Sequence, residues 1–216
     1  MHKTTIYTRM TENGALGIVR VQQVEDLLSI VCALQDGGLE CVEITMTTPG
    51  ALRAIEEAVE RLQGVLIGAG TVLDAQTARQ AILAGAEFLV TPTVKLDVIE
   101  VAHRYGKLVI PGAMTPTEIL TAWEAGADMV KVFPAAVLGP SFLKAVLAPL
   151  PQIPLVPTGG VTADTAGDYV QAGAVMVCAG GWLVDKKAVS EGRYQLLTER
   201  ARQLVSAVRK AKEGRS

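Results

Sequence analysis

Aromatic side chains are scarce in these 216 residues: 4% are Phe, Trp or Tyr, although 50% of the chain is hydrophobic. A core of this composition is filled by Ala, Val, Leu and Ile rather than by a few large rings. Histidine is scarcer still, with His2 and His103 alone. The three cysteines, Cys32, Cys41 and Cys178, offer no CxxC-type pair. These shortages argue against a zinc site, and the cysteines read as reduced core residues of a cytoplasmic protein. Neither sign of charge is in excess: 20 basic residues face 22 acidic ones, for a net charge of -2. A broad basic surface for nucleic acid is therefore not expected. The one basic run, Arg209-Lys210-Ala211-Lys212, reads as the frayed, solvated end of a helix. No stretch approaches ~18 uninterrupted apolar residues, and residues 1–13 carry no signal-peptide core. The expectation is a soluble protein that is not exported and has no membrane partner.

What is present is a repeating pattern. A short helix is expected over 1–12, stopped by Asn13-Gly14. Strands then read at 16–21, 40–45, 65–68, 88–91, 107–110, 128–133, 154–158 and 175–178. Helices read at 24–35, 49–62, 74–83, 96–105, 115–124, 140–147, 162–171 and 192–211. The strands are short and almost continuously apolar, as strands buried on both faces are. Ala-Gly-Ala recurs before a strand at 84–86, 125–127 and 172–174. Recurrent strand–helix units of about 25 residues predict an α/β fold, a (β/α)8 TIM barrel forming a single domain over 1–216. A doubly wound open sheet is the alternative; Gly17 alone does not supply the GxGxxG fingerprint that would favour it.

The strand 128–133 contains a lysine, Lys131, between Val130 and Val132. Alternation puts Met129, Lys131 and Phe133 on one face. Burial disfavours the charged form of an amine, and an uncharged lysine is a nucleophile toward carbonyl carbon. A lysine whose tip reaches solvent is the plainer reading. Glu43 is harder to explain structurally. It alternates with Val42 and Ile44, so it points into the barrel, where an unpaired carboxylate is costly. Lys131 or Arg20 is its expected partner, and a purely structural bridge would also satisfy it. In such a barrel chemistry collects at the C-terminal ends of the strands. Arg20, Thr71, Thr91-Pro92-Thr93, Thr158-Gly159-Gly160 and Gly180-Gly181-Trp182 all fall there. Arg20 would also serve as a strand-end salt bridge, Thr71 as a helix cap and Gly159-Gly160 as a tight turn. The two glycine pairs follow strands seven and eight, where phosphate sites of barrels commonly form. His103 reads as a surface residue.

Several strings resemble one family: Val42-Glu43-Ile44-Thr45, Gly68-Ala69-Gly70-Thr71, Pro111-Gly112-Ala113-Met114-Thr115-Pro116-Thr117-Glu118, Lys131-Val132-Phe133-Pro134 and Pro157-Thr158-Gly159-Gly160. They are similar to the 2-keto-3-deoxy-6-phosphogluconate (KDPG) / 4-hydroxy-2-oxoglutarate (KHG) aldolases, in the family's order, from about Gly17 to the last helix. The resemblance implies a class I, metal-independent aldolase and a homotrimer, with no cofactor beyond the covalent lysine imine. It implies cleavage of a 2-keto-4-hydroxy acid: KDPG to pyruvate and glyceraldehyde 3-phosphate, and KHG to pyruvate and glyoxylate. Lys131 matches the Schiff-base residue and Glu43 the general acid/base. Thr71 and Arg20 would lie near the pyruvyl carboxylate. Pro92 and Phe133 would wall the pocket, and Thr158 would meet the hydroxyl end. Gly159, Gly160, Gly180 and Gly181 would hold a phosphate.

Two departures stand out. Some members carry arginine where this chain has Thr47, and Arg20 would then supply that charge. Many have a serine in the last loop, where this chain has Gly181-Trp182. One lost hydrogen bond to a charged group is worth ~1.5–3 kcal/mol, so a substrate without phosphate stays in view. A phosphate-sugar epimerase barrel and a catalytically silent trimeric scaffold are the rival readings.

Overall fold

The computed structural model describes residues 2–21 and 26–215. The chain begins with α1 (Lys3–Asn13) and β1 (Ala15–Val19), followed by α2 (Leu27–Asp36), β2 (Cys41–Thr45), α3 (Ala51–Arg61) and β3 (Leu66–Gly70). It continues through α4 (Ala75–Leu83), β4 (Phe88–Val90), α5 (Leu96–Arg104), β5 (Leu108–Ile110), β6 (Gly112–Ala113), α6 (Pro116–Glu124) and β7 (Val130–Val132). The last part is α7 (Ala135–Leu147), β8 (Leu155–Pro157), α8 (Ala163–Gln171), β9 (Val177–Ala179), α9 (Lys186–Ser190) and α10 (Tyr194–Glu213). The expected start of the second helix, at 24–25, lies outside the described residues.

All strand pairs are parallel and form two sheets, ordered β5-β4-β3-β2-β1-β9 and β6-β7-β8. This is an α/β fold with a curled parallel sheet. The sheets meet at both margins. Asp128 N–H donates to Val109 O and Lys131 N–H to Pro111 O, at 3.1 and 2.9 Å. At the other margin Thr158 bridges Cys178 in parallel. The expected fifth strand is β5, and a further short strand, β6, follows it across Pro111; proline has no N–H to give a ladder.

Side chains alternate between two apolar clusters, which is why the strands read as continuously apolar. Val19, Val42, Ile44, Leu89, Val130, Val132 and Leu155 pack outward under the helices. Leu16, Cys41, Leu66, Phe88, Leu108, Met129, Val156 and Met176 pack inward. The inner cluster is completed from below by Ile6 and Met10 of α1. That amphipathic helix ends at Gly14, whose φ of 73° is a left-handed stop.

Helix starts follow local chemistry. The Asp74 carboxylate accepts from Thr77 N–H at 2.6 Å, and Thr115 with Glu118 forms a capping box at α6. Three expectations change. The helix expected over 140–147 begins earlier, because Gly139 (φ 71°, ψ 171°) interrupts α7 and the turn before it is helical too. Cys32 is exposed, whereas Cys41 and Cys178 are buried and all three are free thiols. The basic C-terminal run is anchored, not frayed. Lys212 Nζ donates to the carbonyl oxygens of Thr11 and Glu12 at the end of α1.

Candidate functional site

Strand periodicity brings the two central residues inward. Lys131 is the middle residue of β7, between outward-facing Val130 and Val132, and is 6% exposed. Gly112 and Val156 stand beside it in register. Its Nζ lies 5.3 Å from the centroid of the Phe133 ring. Glu43 is the middle residue of β2, in register with Ile18 and Gly68, and is 1% exposed. Its inward path exists because residue 70 has no side chain.

Glu43 does not form the ion pair expected from the sequence. Among the described residues it has no salt bridge with Lys131 or Arg20, and its buried Oε2 has no hydrogen-bond partner. Burial raises its carboxyl above the ordinary value, and the charges of Lys131 and then Arg20 oppose that rise. The net effect is a carboxyl whose pKa is raised, with one oxygen unengaged.

Thr158, 2% exposed, and Cys178 line the same inner face. Burial, reinforced by the Glu43 charge, pushes the Cys178 thiol up to about 12, while Thr158 and Lys131 act the other way. Cys178 is therefore apolar floor and not a nucleophile. Thr71 sits at φ 58°, a region that β-branched residues rarely enter. The α4 cap is Asp74, so capping does not explain Thr71; strain held at one residue is a mark of function.

The remaining expected residues follow the C-terminal ends of the strands. Thr47 is exposed, with its hydroxyl 3.1 Å from that of Thr45, which in turn lies 3.3 Å from Thr48. Thr45 closes the Val42–Thr45 string noted above; Thr48 was not anticipated, and the run of threonines after the strand was its signal. Pro92 is half-buried, and its carbonyl oxygen would lie 2.3 Å from a Cβ on Gly112. Phe133, 39% exposed, overlies Gly159.

Gly159 and Gly160 have φ of 94° and 80°, and a Cβ on Gly160 would meet that of Ala136 at 2.5 Å. Both conformation and space require glycine here. Gly180 and Gly181 lack positive φ, and nothing lies within 4 Å of a Cβ on Gly181. Gly180 O accepts from Leu183 and Val184 N–H, each at 2.8 Å. Arg20 is exposed, has no ion pair among the described residues, and borders a cavity of about 250 Å³ shared with Val184 and Lys186. His103 is exposed, as expected, with Nε2 2.7 Å from Gly126 O. Among the described residues no cluster of three or more His, Cys, Asp or Glu could hold a metal, and no helix is long and apolar enough to cross a membrane.

A buried lysine and an unpaired carboxyl on one inner face of parallel strands are the equipment of a lysine-bearing α/β enzyme. The chain belongs to the KDPG and KHG aldolase family, whose model matches residues 6–200. It is 35% identical over 205 residues to a 2-dehydro-3-deoxy-phosphogluconate aldolase of Treponema pallidum, covering 94% of this chain and 98% of the relative. A 2-dehydro-3-deoxy-phosphogluconate aldolase of Pseudomonas aeruginosa is 37% identical over 190 residues, covering 88% and 86%. The crystal structure of a KDPG aldolase from Legionella pneumophila, with pyruvate captured at low pH as a covalent carbinolamine intermediate, superposes with a TM-score of 0.83. It has 28% identity and covers 88% of this chain and 93% of that one.

Proposed function

We propose that this protein is a class I aldolase that reversibly cleaves a 2-keto-4-hydroxy acid. The substrates are KDPG, giving pyruvate and glyceraldehyde 3-phosphate, and KHG, giving pyruvate and glyoxylate. The observation that carries this reading is that Lys131 and the Glu43 carboxyl, with its Oε2 orphaned and its pKa raised by burial, share one buried face.

In this reading the Lys131 amine adds to the C2 ketone, and the carbinolamine loses water to give a protonated imine. Glu43, through a water at its free oxygen, removes the proton of the C4 hydroxyl. The C3–C4 electron pair moves into the imine, and the aldehyde departs. The enamine left behind takes a proton at C3 from the same relay, and water returns to release pyruvate and the free amine. A carboxyl with its pKa raised toward the working pH suits both directions of transfer. Arg20 and Thr71 meet the pyruvyl carboxylate, and Thr47 stands where other members use a cation. Pro92 and Phe133 bound the pocket, Thr158 meets the substrate hydroxyls, and the amides of Gly159, Gly160, Gly180 and Gly181 receive phosphate. No metal or separate cofactor takes part.

The same proposal places the two sheets in one closed (β/α)8 barrel, a single domain over residues 1–216. The hydrogen bonds at both sheet margins support that closure. The active form is a cytoplasmic homotrimer acting on a small molecule.

The test is intact mass after incubation with pyruvate and borohydride. One reduced pyruvyl adduct mapping to Lys131, absent from Lys131→Ala, is expected. A folded protein that gives no adduct would overturn the Schiff-base reading.

A further inference from the structure

We propose that Arg200 is a positioning residue for the loop Gly180-Gly181-Trp182, and that it sets affinity for the phosphorylated end of the substrate without touching the chemistry at Lys131. The proposal rests on the reading of that loop as an anion site.

The loop is held in part by Trp182, which packs against the core. Gly180 O takes the N–H groups of Leu183 and Val184, which closes one turn. Gly181 contributes no side chain and is surrounded by open space. A glycine with that freedom loses much entropy when ordered. The missing restraint comes from α10. Arg200 Nη1 donates to the carbonyl oxygen of Trp182 and lies 3.6 Å from Asp185 Oδ2. The guanidinium carbon is also 5.7 Å from the Trp182 ring centroid. The other oxygen of Asp185 accepts from Ala188 N–H at 2.8 Å, capping α9. One guanidinium thus grips the middle of the loop through Trp182 and its end through Asp185.

The support behind Arg200 is firm. Leu197, Ala201 and Leu204 of α10 are buried, and the Thr198 hydroxyl donates to Ala33 O at 2.9 Å. An exposed ion pair alone would contribute little. Here the carboxylate contact is joined by a carbonyl hydrogen bond and a ring face, a combination that a planar guanidinium serves and an ammonium serves in part. The loop, which has no side chain at Gly180 or Gly181, is thus held from outside by α10.

The experiment compares wild type, Arg200→Met and Arg200→Lys in two measurements: calorimetric titration with inorganic phosphate, and steady-state cleavage of KDPG and of KHG. Arg200→Met is expected to weaken phosphate binding and to raise KM for KDPG about tenfold, the equivalent of about 1.4 kcal/mol. Its kcat, its KM for KHG and its pyruvate trapping should stay at wild-type values. Arg200→Lys should fall between the two, and it carries the comparison if Arg200→Met does not fold. Equal losses with KDPG and KHG, or wild-type phosphate affinity in the folded variants, would overturn the role of Arg200 and leave the loop reading standing. A wild-type protein indifferent to phosphate and to the KDPG phosphate would overturn the loop reading and this proposal with it.

Discussion

A Cβ built on Gly70 would lie 2.4 Å from Oε1 of Glu43 and 2.6 Å from its Cδ. The absence of a side chain at residue 70 is what gives the Glu43 carboxyl its place on the inner face. A displaced carboxyl costs rate even when the fold survives, because about 1 Å of misplacement is worth about 10²-fold.

Gly70→Ala is therefore expected to lower kcat about 10²-fold while pyruvate still forms an adduct at Lys131. Steady-state cleavage and borohydride trapping on the same preparation check this. Unchanged kcat would show that the carboxyl has room to spare.

Glu43→Gln keeps the shape and removes the proton exchange. Cleavage should fall by about 10²–10⁴-fold. The same variant reads the cost of the buried charge. A carboxyl whose folded pKa lies above its unfolded value binds its proton more tightly when folded. Its contribution to stability is fully present below the ordinary value of 4.5 and is lost as pH rises through the folded value. Glutamine copies the protonated form at every pH. The melting temperature of Glu43→Gln should then exceed that of wild type by at least about 2 °C more at pH ~8 than at pH ~4. A gap independent of pH would contradict the raised pKa.

Gly181→Ser tests the proposed phosphate loop from within. Residue 181 needs no positive φ and has free space, so the variant should fold with an unchanged melting temperature. An added hydroxyl bonding a charged group is worth ~1.5–3 kcal/mol. KM for a phosphorylated substrate should drop by about tenfold or more, with KM for KHG unaltered. No change in either constant would place the phosphate elsewhere.

The inward-facing pair was legible in the sequence because alternation is a strict rule. Val42 and Ile44 fix the direction of Glu43, and Val130 and Val132 fix that of Lys131. The strand–helix rhythm was legible for the same reason, reinforced by Asp74 and by the Thr115–Glu118 box. What escaped notice depends on distance along the chain. Arg200 looks like one more charge on a solvated helix until folding sets it against Trp182 and Asp185. The helix α9, five residues capped by Asp185, is too short to show a period. Glycine followed by proline at 139–140 resembles a helix start, which hid the helical turn before the kink. The expected Glu43 ion pair failed because strand register fixes where side chains originate and not how closely their tips approach.

Ile6 and Met10 of α1 fill the inner space beneath the strands, and Lys212 ties the end of that helix to α10. The helix thereby closes the inner space on its own side. If Lys131 forms the imine as proposed, a substrate enters keto end first, which leaves its aldehyde-forming end toward the opening. The aldehyde, cut from the outer end, stands between the tethered three-carbon piece and solvent. Departure is consequently a queue: the aldehyde leaves first and pyruvate second, and in synthesis pyruvate must be seated before any aldehyde arrives.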